Sequence, residues 1–565
     1  MKTIGKSALF LLLAALLALS GANPAAAQSI SPAGADQTAA WTQLASLTAS
    51  DGAASDNLGK TVTMSADGLI VAAGAPNKTV GANAYQGAVY VFIKPAGGWA
   101  NATSAIRLTA SDGADSDYFG SAIAISGDGS TIVVGAGSKQ VSNVLGPGEV
   151  YVFARPAGGW ASATETARLT PLAGVNAERF GASVGTSTDG SSIAVGASGK
   201  QIGANQYQGQ VYVFVKPNSS GWVSGHETAH LTVSGGAAYD FLGRSIAMSG
   251  DGKTIVSGAD GAGGDVGAAF VFVKPTSGSW VNGTQQARLT GSDGTDSDFM
   301  GAAVAISTDG TTVAVGAPDK PVGTSYFFGA AYVFVKPSGA WANATQTARL
   351  NTSNLAQYDH LGQSVAVNAN GSMVAAGAPR QLTTYSAGQG SAYLFTKPAG
   401  NWANSTQSAE VSVSGTAVHD DLGASVATNG TITVSGAPAR PVGTNAAQGA
   451  VYVFSAGLAA PTTTTLTSNP NYSWLGASVT FTATIHPASG SGTPTGKVVF
   501  NVDGVNKPAV TLASGSATYT TSSLTVGPHT VTATYTGDAN FAGSVSNALV
   551  QRVAKYKTLF PRAIK

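Results

Sequence analysis

Short apolar segments separated by turn residues dominate the pattern of this chain. A typical stretch places apolar positions at Phe119–Ser126, Thr131–Ala136 and Gly148–Phe153, with Asp128-Gly129 between the first two segments. Segments of this length, bounded by glycine and aspartate, predict β-strands joined by tight hairpins rather than helices. The same Asp-Gly or Asn-Gly signal recurs at positions 67, 189, 251, 309, 370 and 429.

The pattern repeats seven times along the chain. Tryptophans mark the period and stand 58 to 62 residues apart, at positions 41, 99, 160, 222, 280, 341 and 402. A Tyr-Val-Phe signature begins at 90, 151, 212, 332 and 452, with Phe270-Val-Phe272 and Tyr393-Leu-Phe395 as variants. Each unit is predicted to contain four strands, the fourth running from the tryptophan to a Leu-Thr ending such as Leu169-Thr170.

Repeats of four antiparallel strands form either an open solenoid or a closed propeller. The termini favour closure, because the last Tyr-Val-Phe strand at 452 has no tryptophan strand after it, whereas an extra one precedes the first full unit. We therefore predict an all-β chain with a seven-bladed β-propeller over residues 40–457, in which strand 41–48 completes the last blade and leaves no open edge.

The first strands share a glycine followed by small residues, which we expect nearest the propeller axis, where space is short. Phe119-Gly120 and Phe180-Gly181, together with Gly74-Ala75-Pro76, Gly316-Ala317-Pro318, Gly377-Ala378-Pro379 and Gly436-Ala437-Pro438, resemble the FG-GAP repeat family. That family includes the propeller of integrin α subunits and many bacterial surface proteins. The resemblance implies extracellular adhesion or ligand binding.

A second domain is predicted over residues 461–553. Alternating apolar positions at Val479–Ile485, Val498–Val502 and Val531–Tyr535 indicate strands with one buried face, as in an immunoglobulin-like β-sandwich. The segments 492–500 and 529–541 resemble the bacterial Ig-like repeat family, whose modules act as spacers or contact surfaces. Residues 554–565 form a basic tail.

The N-terminus predicts export. Lys2 and Lys6, an apolar run over 8–19 and the alanines at 25–27 form a signal-peptide pattern over residues 1–27, so the mature chain is expected to begin at Gln28. A retained membrane anchor is the alternative, but the run is short for a bilayer span. We expect a secreted, cell-surface or periplasmic protein, monomeric and without a transmembrane segment after cleavage.

Composition restricts the partners. Charged residues make up 10% of the chain, cysteine is absent, and removal of Lys2 and Lys6 changes the formal net charge from +1 to −1. Disulfides and thiolate sites are therefore excluded, and nothing indicates a nucleic-acid partner. We expect no cofactor, with calcium as the one ion to consider.

The calcium candidates are the acidic groups Asp112, Asp115 and Asp117, and Asp293, Asp296 and Asp298. Because an acidic residue recurs at the last of these positions in every unit, capping of a turn is the alternative role. A single Asp or Asn in each hairpin cannot supply the six to eight oxygen ligands of a calcium site. Gly181-Ala-Ser183-Val-Gly185 matches a serine-hydrolase pattern, but it lies in a predicted strand and is interpreted as coincidence.

Aromatic residues in the loops joining second to third strands are the ligand-binding candidates: Tyr85, Tyr207, Tyr326, Phe327 and Tyr385. They could stack on sugars or anchor a protein, or they could pack against the adjacent blade. No catalytic residue is assigned. The predicted function is non-catalytic binding of an extracellular protein or glycan through a propeller face; a polysaccharide lyase or glycosidase on the same scaffold is the alternative.

Overall fold

The computed structural model describes residues 41–104, 106–140, 146–172, 178–217, 221–321, 327–354, 356–380, 388–413, 420–456, 462–488, 493–538 and 541–555. These residues form strands and turns without a helix, so the chain is all-β. Seven antiparallel sheets in residues 41–456 are the blades of the propeller, and the later strands form a sandwich.

Each blade has four antiparallel strands in sequential order, except that the seventh takes its fourth from the N-terminus. The strands of blades 1 to 3 are Thr61–Met64, Ile70–Ala75, Ala88–Ile93 and Arg107–Leu108; Ala122–Ile125, Thr131–Ala136, Glu149–Ala154 and Ala167–Leu169; and Phe180–Thr186, Ser192–Ala197, Gln210–Val215 and Ala229–Thr232. Those of blades 4 and 5 are Ser245–Met248, Thr254–Ala259, Ala268–Val273 and Ala287–Thr290; and Ala303–Ile306, Thr312–Ala317, Ala330–Val335 and Ala348–Asn351. Those of blades 6 and 7 are Ser364–Val367, Met373–Ala378, Ser391–Thr396 and Ala409–Val411; and Ser425–Thr428, Ile432–Ala437, Ala450–Ala456 and Trp41–Ala49.

The N-terminal strand closes the ring. Trp41–Ala49 runs antiparallel to Ala450–Ala456, pairing Trp41 with Ala456 and Leu47 with Val451 across a bulge between Gln43 and Ala45. The missing fourth strand of blade 7 thus comes from the front of the chain, as in the sequence argument. The core is continuous across this joint, because Val434, Val451 and Val453 pack with Tyr90 and Phe92 of blade 1.

Adjacent blades meet backbone to backbone at a ring of glycine pairs. A Cβ on Gly74 would lie 2.1 Å from the carbonyl oxygen of Gly120 in the next blade, and one on Gly436 would lie 1.9 Å from that of Gly59 across the joint. Corresponding contacts join all seven blades, through Gly135, Gly196, Gly258, Gly316 and Gly377. The second glycine of each pair has a φ near +90°. Any side chain would force neighbouring blades apart, which explains why these positions are glycine.

Six of the seven repeated tryptophans lie outside the strands, so the prediction that the fourth strand begins at the tryptophan is wrong for those six blades. Trp99 and Trp160 are buried beneath the hairpin of their own blade, where each indole N–H donates to a turn glycine carbonyl, Gly68 or Gly129, at 3.1 Å. Trp41 differs, because it lies within the closing strand. The indole thus stabilises the hairpin turn through this hydrogen bond. The fourth strand of the blade starts several residues after the tryptophan.

In most blades, the fourth strand is contacted by the segment between the third and fourth strands of the next blade. Asn101 accepts a hydrogen bond from the Ser46 N–H at 2.8 Å, and Asn343 accepts one from the Arg288 N–H at 2.8 Å. Asn282, Asn404, Ser162 and Ser224 make the same inter-blade bond. Short parallel strands reinforce it at Ala102–Ser104, Gly283–Thr284, Ala344–Thr345 and Ser405–Thr406. These four asparagines each belong to an Asn-x-Thr sequence, and their side chains have a structural role, since they link neighbouring blades.

The C-terminal domain is a sandwich of two sheets. One sheet contains Thr462–Asn469, Val479–Pro487 and Ser516–Thr521. The other contains Tyr472–Trp474, Lys497–Val502, Val505–Asn506, Val510–Thr511, Gly527–Tyr535, Ser544–Val545 and Leu549–Ala554. Its core includes the alternating positions predicted from sequence, among them Val479, Phe481, Phe500 and Tyr535.

Replacement of one contact glycine tests the blade contact. Gly316→Ala is expected to lower the free energy of unfolding by about 3 kcal/mol or more, because its Cβ would lie 1.9 Å from the Gly362 carbonyl oxygen. Gly97→Ala is the matched control, since no atom lies within 4 Å of the place that its added methyl group would occupy. Denaturant midpoints followed by tryptophan fluorescence measure both, and equal midpoints would contradict the glycine argument.

The closing strand supplies a second test. Leu47 is fully buried in the joint between blades 7 and 1, whereas Leu44 in the same strand is 38% exposed. Leu47→Ala is expected to cost about 2 to 5 kcal/mol of stability, and Leu44→Ala well under half as much. The same denaturation assay checks this, and a similar cost for both would show that the strand does not close the core.

Candidate binding face

One end of the propeller, here called the loop face, is built from two sets of loops. The first set joins second to third strands, and the second leads from a fourth strand into the next blade. The two sets meet across blade boundaries through backbone hydrogen bonds, from Tyr118 N–H to the Tyr85 carbonyl at 3.0 Å and from Phe241 N–H to the Tyr207 carbonyl at 3.0 Å. Neighbouring blades therefore fix each other's loops.

Aromatic rings from the two loop sets stack in three aromatic clusters. Cluster one is Tyr85 with Tyr118, whose ring centroids are 5.9 Å apart; these loops belong to blades 1 and 2. Cluster two joins blades 3 and 4, with Tyr207 stacked on Tyr239 at 5.6 Å and Phe241 beside both.

Cluster three joins blades 5 and 6. Phe327 stacks on Tyr358 at 5.5 Å and lies 5.4 Å from the His360 ring. The three clusters thus occupy alternate blade boundaries. In the stacked pairs the ring planes differ by 18° to 28°, so the two rings of each pair are roughly parallel.

Each cluster leaves one ring open to solvent and holds its residues in the left-handed conformation. Tyr85 is 46% exposed, Tyr239 is 53% exposed and Tyr358 is 48% exposed. Their φ angles are 54°, 66° and 75°, a region that costs non-glycine residues of order 1 kcal/mol. A large exposed ring in a strained conformation is a reason to look for a function.

The fold does not need an aromatic residue at these positions. The loop position of Tyr85 and Tyr207 is occupied in other blades by Gly146, Asp265 and Ala447. The inter-blade backbone bond persists there, from Asn57 N–H to the Ala447 carbonyl at 3.1 Å and from Phe299 N–H to the Asp265 carbonyl at 3.0 Å. The rings are therefore additions to a loop that is stable without them.

The structure places three of the predicted aromatic residues, Tyr85, Tyr207 and Phe327, on this face. Tyr326 and Tyr385 lie outside the described residues. The rings do pack against the adjacent blade, yet their clusters stay partly exposed. Sequence reasoning missed the partner rings at 118, 239, 241, 358 and 360, although all flank the recurring acidic residue of the loop before the first strand.

The acidic candidates of blade 2 are engaged by cationic side chains and a backbone N–H of this chain. The Lys139 ammonium lies between them, 2.8 Å from the Asp117 carboxylate and 3.6 Å from that of Asp112. Asp112 also pairs with Arg168 at 2.8 Å, and Asp115 turns away to accept the Ala84 N–H of blade 1 at 2.8 Å. A lysine side chain thus supplies the positive charge that a metal ion would provide.

Blade 5 repeats this arrangement. Lys320 lies 2.8 Å from Asp298 and 3.8 Å from Asp293, which also pairs with Arg349, while Asp296 is exposed. Across the described residues, no group of three or more His, Cys, Asp or Glu side chains is arranged to hold a metal ion. The alternative of turn capping fits better, because the Asp117 and Asp298 carboxylates accept N–H bonds from Ala114 and Thr295.

The hairpin carboxylates are also occupied by their own turns. Asp128 accepts bonds from the Ser126 hydroxyl at 2.5 Å and from the Ser130 N–H at 2.9 Å. Burial alone would raise the pKa of Asp128, but these hydrogen bonds hold it below its usual value. Its oxygens stabilise the hairpin.

Blade 4 lacks the buried cation. Ala262 stands where five blades have Lys78, Lys139, Lys200, Lys320 or Arg440 and where the sequence of blade 6 has Gln381, although the carboxylate is retained as Asp240. Burial raises the pKa of Asp240, and the Ala237 N–H and the charge of Arg288 offset only part of that effect. Blade 4 is therefore electrostatically unlike the blades with a buried ion pair.

The axial channel is narrow and uncharged through most of its length. First strands line two cavities of about 300 and 230 Å³ with residues such as Val62, Met248, Ile306 and Ser364. Arg244 lies at the end nearer the loop face, 3.3 Å from Asp260. No carboxylate or imidazole is among the described residues that line either cavity.

The serine-hydrolase pattern has no catalytic geometry. Ser183 belongs to the first strand of blade 3, Phe180–Thr186, and its hydroxyl donates to the Gly243 carbonyl at 2.7 Å. A nucleophile elbow requires a turn from strand into helix. The interpretation of this motif as coincidence therefore agrees with the structure.

The architecture defines the class: a repeat β-propeller followed in sequence by an immunoglobulin-like domain. The FG-GAP repeat family model matches residues 41–92, 103–153, 163–214, 226–272 and 284–334, and the model of the bacterial Ig-like domain, group 3, matches residues 464–554. The chain is an FG-GAP repeat propeller protein with a C-terminal bacterial Ig-like domain. Blades 6 and 7 lie beyond the matched repeats but have the same strand order.

Solved structures resemble the chain only at low similarity. Hydrazine synthase of Kuenenia stuttgartiensis is 15% identical, with 68% of this chain and 93% of that one covered and a TM-score of 0.41. The periplasmic gluconolactonase PpgL of Pseudomonas aeruginosa is 13% identical, with 76% and 94% covered and a TM-score of 0.37. The propeller domain of the Trilobed protease of Pyrococcus furiosus is 10% identical, with 71% and 91% covered and a TM-score of 0.33.

No curated protein sequence matches the chain. Within the described residues, no helix is long and apolar enough to cross a membrane.

Paired variants test the difference between blades 2 and 4. Asp117→Asn removes the nearer of the two carboxylates around Lys139 and leaves that of Asp112 at 3.6 Å, so it is expected to cost about 3 kcal/mol of stability, the low end for a broken buried pair. Asp240→Asn removes a carboxylate that has no salt bridge among the described residues, so at pH 7 it is expected to cost much less stability than Asp117→Asn. Equal losses in urea denaturation at pH 7 would contradict the ion-pair assignment.

The pH dependence has a defined sign. Folding raises the pKa of Asp240 above its unfolded-state value of about 3.8. The contribution of Asp240 to folding stability is therefore most favourable below pH 3.8, and it is lost as the pH rises through the folded-state pKa. The stability of Asp240→Asn relative to the parent should therefore increase from pH 3 to pH 7.

Proposed function

We propose that the protein is a secreted or cell-surface binding protein whose loop face holds an extracellular protein or glycan without altering it. The observation that supports this function most directly is the set of three exposed aromatic clusters. They occupy loop positions where other blades have glycine, aspartate or alanine, so packing does not account for them. Exposed aromatic side chains on rigid loops are typical of binding sites.

Export is supported by the signal-peptide pattern over residues 1–27. The Ig-like domain fits a role as spacer or second contact surface. The proposal of an enzyme finds less support, since acid–base catalysis usually uses a carboxylate or an imidazole and the described channel lining contains neither.

Retention on defined surfaces tests the function. The chain from Gln28 should be retained on at least one of immobilised fibronectin, collagen, mucin, cellulose, chitin or peptidoglycan, and the double variant Tyr85→Ala, Tyr207→Ala should bind at least about tenfold more weakly. The double variant Leu69→Ala, Ile93→Ala removes exposed apolar side chains from the opposite end of blade 1 and is the control.

The ligand should be recovered intact. If the parent protein releases soluble fragments from the surface, the proposed function is wrong and the protein is an enzyme that degrades its ligand. Retention that is unchanged in the tyrosine variant would move the binding site away from the loop face.

A further inference from the structure

We infer that the three aromatic clusters are stacking platforms that together bind one neutral polysaccharide chain. This inference rests on the proposed binding function of the loop face and specifies its ligand class. A flat aromatic ring presents a negative face to the polarised C–H groups on one side of a pyranose ring, and a few polar contacts then set orientation.

The distribution of apolar surface favours a sugar polymer over a protein partner. In the described loops of this face, the large apolar side chains with more than a third of their surface exposed are Tyr85, Tyr239, Tyr358 and Leu172. The three rings belong to separate blade boundaries and have no common surrounding patch of exposed aliphatic residues. A stable protein interface needs a contiguous, desolvated centre, whereas separate sugar units need only separate rings.

Three ion pairs and two exposed carboxylates of this face favour a neutral polymer over an acidic one. The arginines of three fourth strands are paired with carboxylates, Arg107 with Asp51 at 2.6 Å, Arg168 with Asp112 at 2.8 Å and Arg349 with Asp293 at 2.7 Å. Asp115 and Asp296 are exposed. An acidic polysaccharide would meet these carboxylates and find the three arginines already paired.

In two of the three platforms, hydrogen bonds fix the loop before any ligand arrives. In the loop of Tyr85, the Asn83 amide donates to Gln86 at 2.9 Å and to the Gly113 carbonyl of the next blade at 2.8 Å. The loop of Tyr207 has the same pair of hydrogen bonds, donated by the Asn205 amide to Gln208 and to the Gly236 carbonyl. Rigid loops lose little conformational entropy on binding, so weak stacking contacts contribute more of their strength to affinity.

Blade 7 provides a natural control for the same loop. Asn445 donates the same pair of hydrogen bonds, to Gln448 at 2.9 Å and to the Gly52 carbonyl at 3.0 Å. The position that holds Tyr85 or Tyr207 in the other loops is Ala447 here. Ala447 has a φ of 51°, close to the 54° of Tyr85 and 52° of Tyr207. Replacement of either tyrosine by alanine therefore recreates a loop that this propeller already contains.

Three platforms on one rigid ring predict avidity. Stacking on a single ring is weak, but a polymer that engages one platform is held near the others. Loss of one cluster should weaken binding by about tenfold or less, and loss of all three by more than about a hundredfold.

The experiment uses the full mature chain and defined probes. Affinity electrophoresis and titration calorimetry would be run with laminarin, xylan and galactomannan as neutral polymers, polygalacturonate as an acidic polymer, and collagen and fibronectin as proteins. The variants are Tyr85→Ala, Tyr239→Ala and Tyr358→Ala, singly and combined. Leu172→Ala, which removes a 72%-exposed aliphatic side chain from the same face, is the control.

The inference expects binding of at least one neutral polymer, stepwise loss through the three variants and no change for Leu172→Ala. Preference for polygalacturonate, or no binding of the neutral polymers, would overturn it. Binding of collagen or fibronectin alone, lost in the triple variant, would overturn the glycan inference and leave the proposed binding function standing. Binding of none of the probes would count against both.

Adding a ring is the converse test. Ala447→Tyr with Ser55→Tyr places aromatic side chains at the positions of Tyr207 and Tyr239, where the backbone is already left-handed and bonded from Ser55 N–H to the Ala446 carbonyl at 2.8 Å. The variant should bind the neutral polymer several-fold more tightly. Unchanged affinity, with folding intact by circular dichroism, would show that the rings do not act as platforms.

Discussion

The contact on which the structure depends is the ring of glycine pairs where each second strand touches the beginning of the next blade. Backbone lies against backbone at these points, as at Gly74 with Gly120 and at Gly436 with Gly59. The contact sets how closely the blades approach and thus lets seven wedge-shaped sheets fill a circle with a narrow channel. It also gives a physical reason for the two recurring glycines of each repeat, since the glycine of the second strand lies against the backbone of the glycine that precedes the next first strand.

Two further devices make a stable ring from sheets that would otherwise expose edges. An asparagine or serine between the third and fourth strands of one blade accepts an N–H bond from the fourth strand of the previous blade, and strand Trp41–Ala49 joins the two ends of the propeller in blade 7. Edge strands are the usual route to aggregation in β-proteins, so pairing them within one chain protects the fold. Because the chain has no cysteine, this pairing and the inter-blade cores provide its stability without disulfides.

With the scaffold fixed in this way, some loop positions are free to vary. The position of Tyr85 tolerates glycine, aspartate or alanine in other blades, since only its backbone is needed for the inter-blade bond. The acidic residues beneath are less free, because most blades neutralise them with a buried lysine or arginine. The exposed loop residues that would contact a ligand can therefore differ from blade to blade, while the ion pairs beneath them hold the loops in place.

The sequence by itself determined the features that depend on near neighbours in the chain: the hairpins, the seven repeats, the displaced closing strand and the alternating strands of the second domain. It also supplied Tyr85, Tyr207 and Phe327 as ligand candidates. Only the tertiary structure decided that Trp99 and Trp160 lie beneath their hairpins, that Lys139 lies between Asp112 and Asp117, and that Tyr118, Tyr239 and Tyr358 complete the aromatic clusters. The reason is that hairpins and strand periods depend on residues a few positions apart, whereas ion pairs and stacked rings join loops that are brought together only when the blades close into a ring.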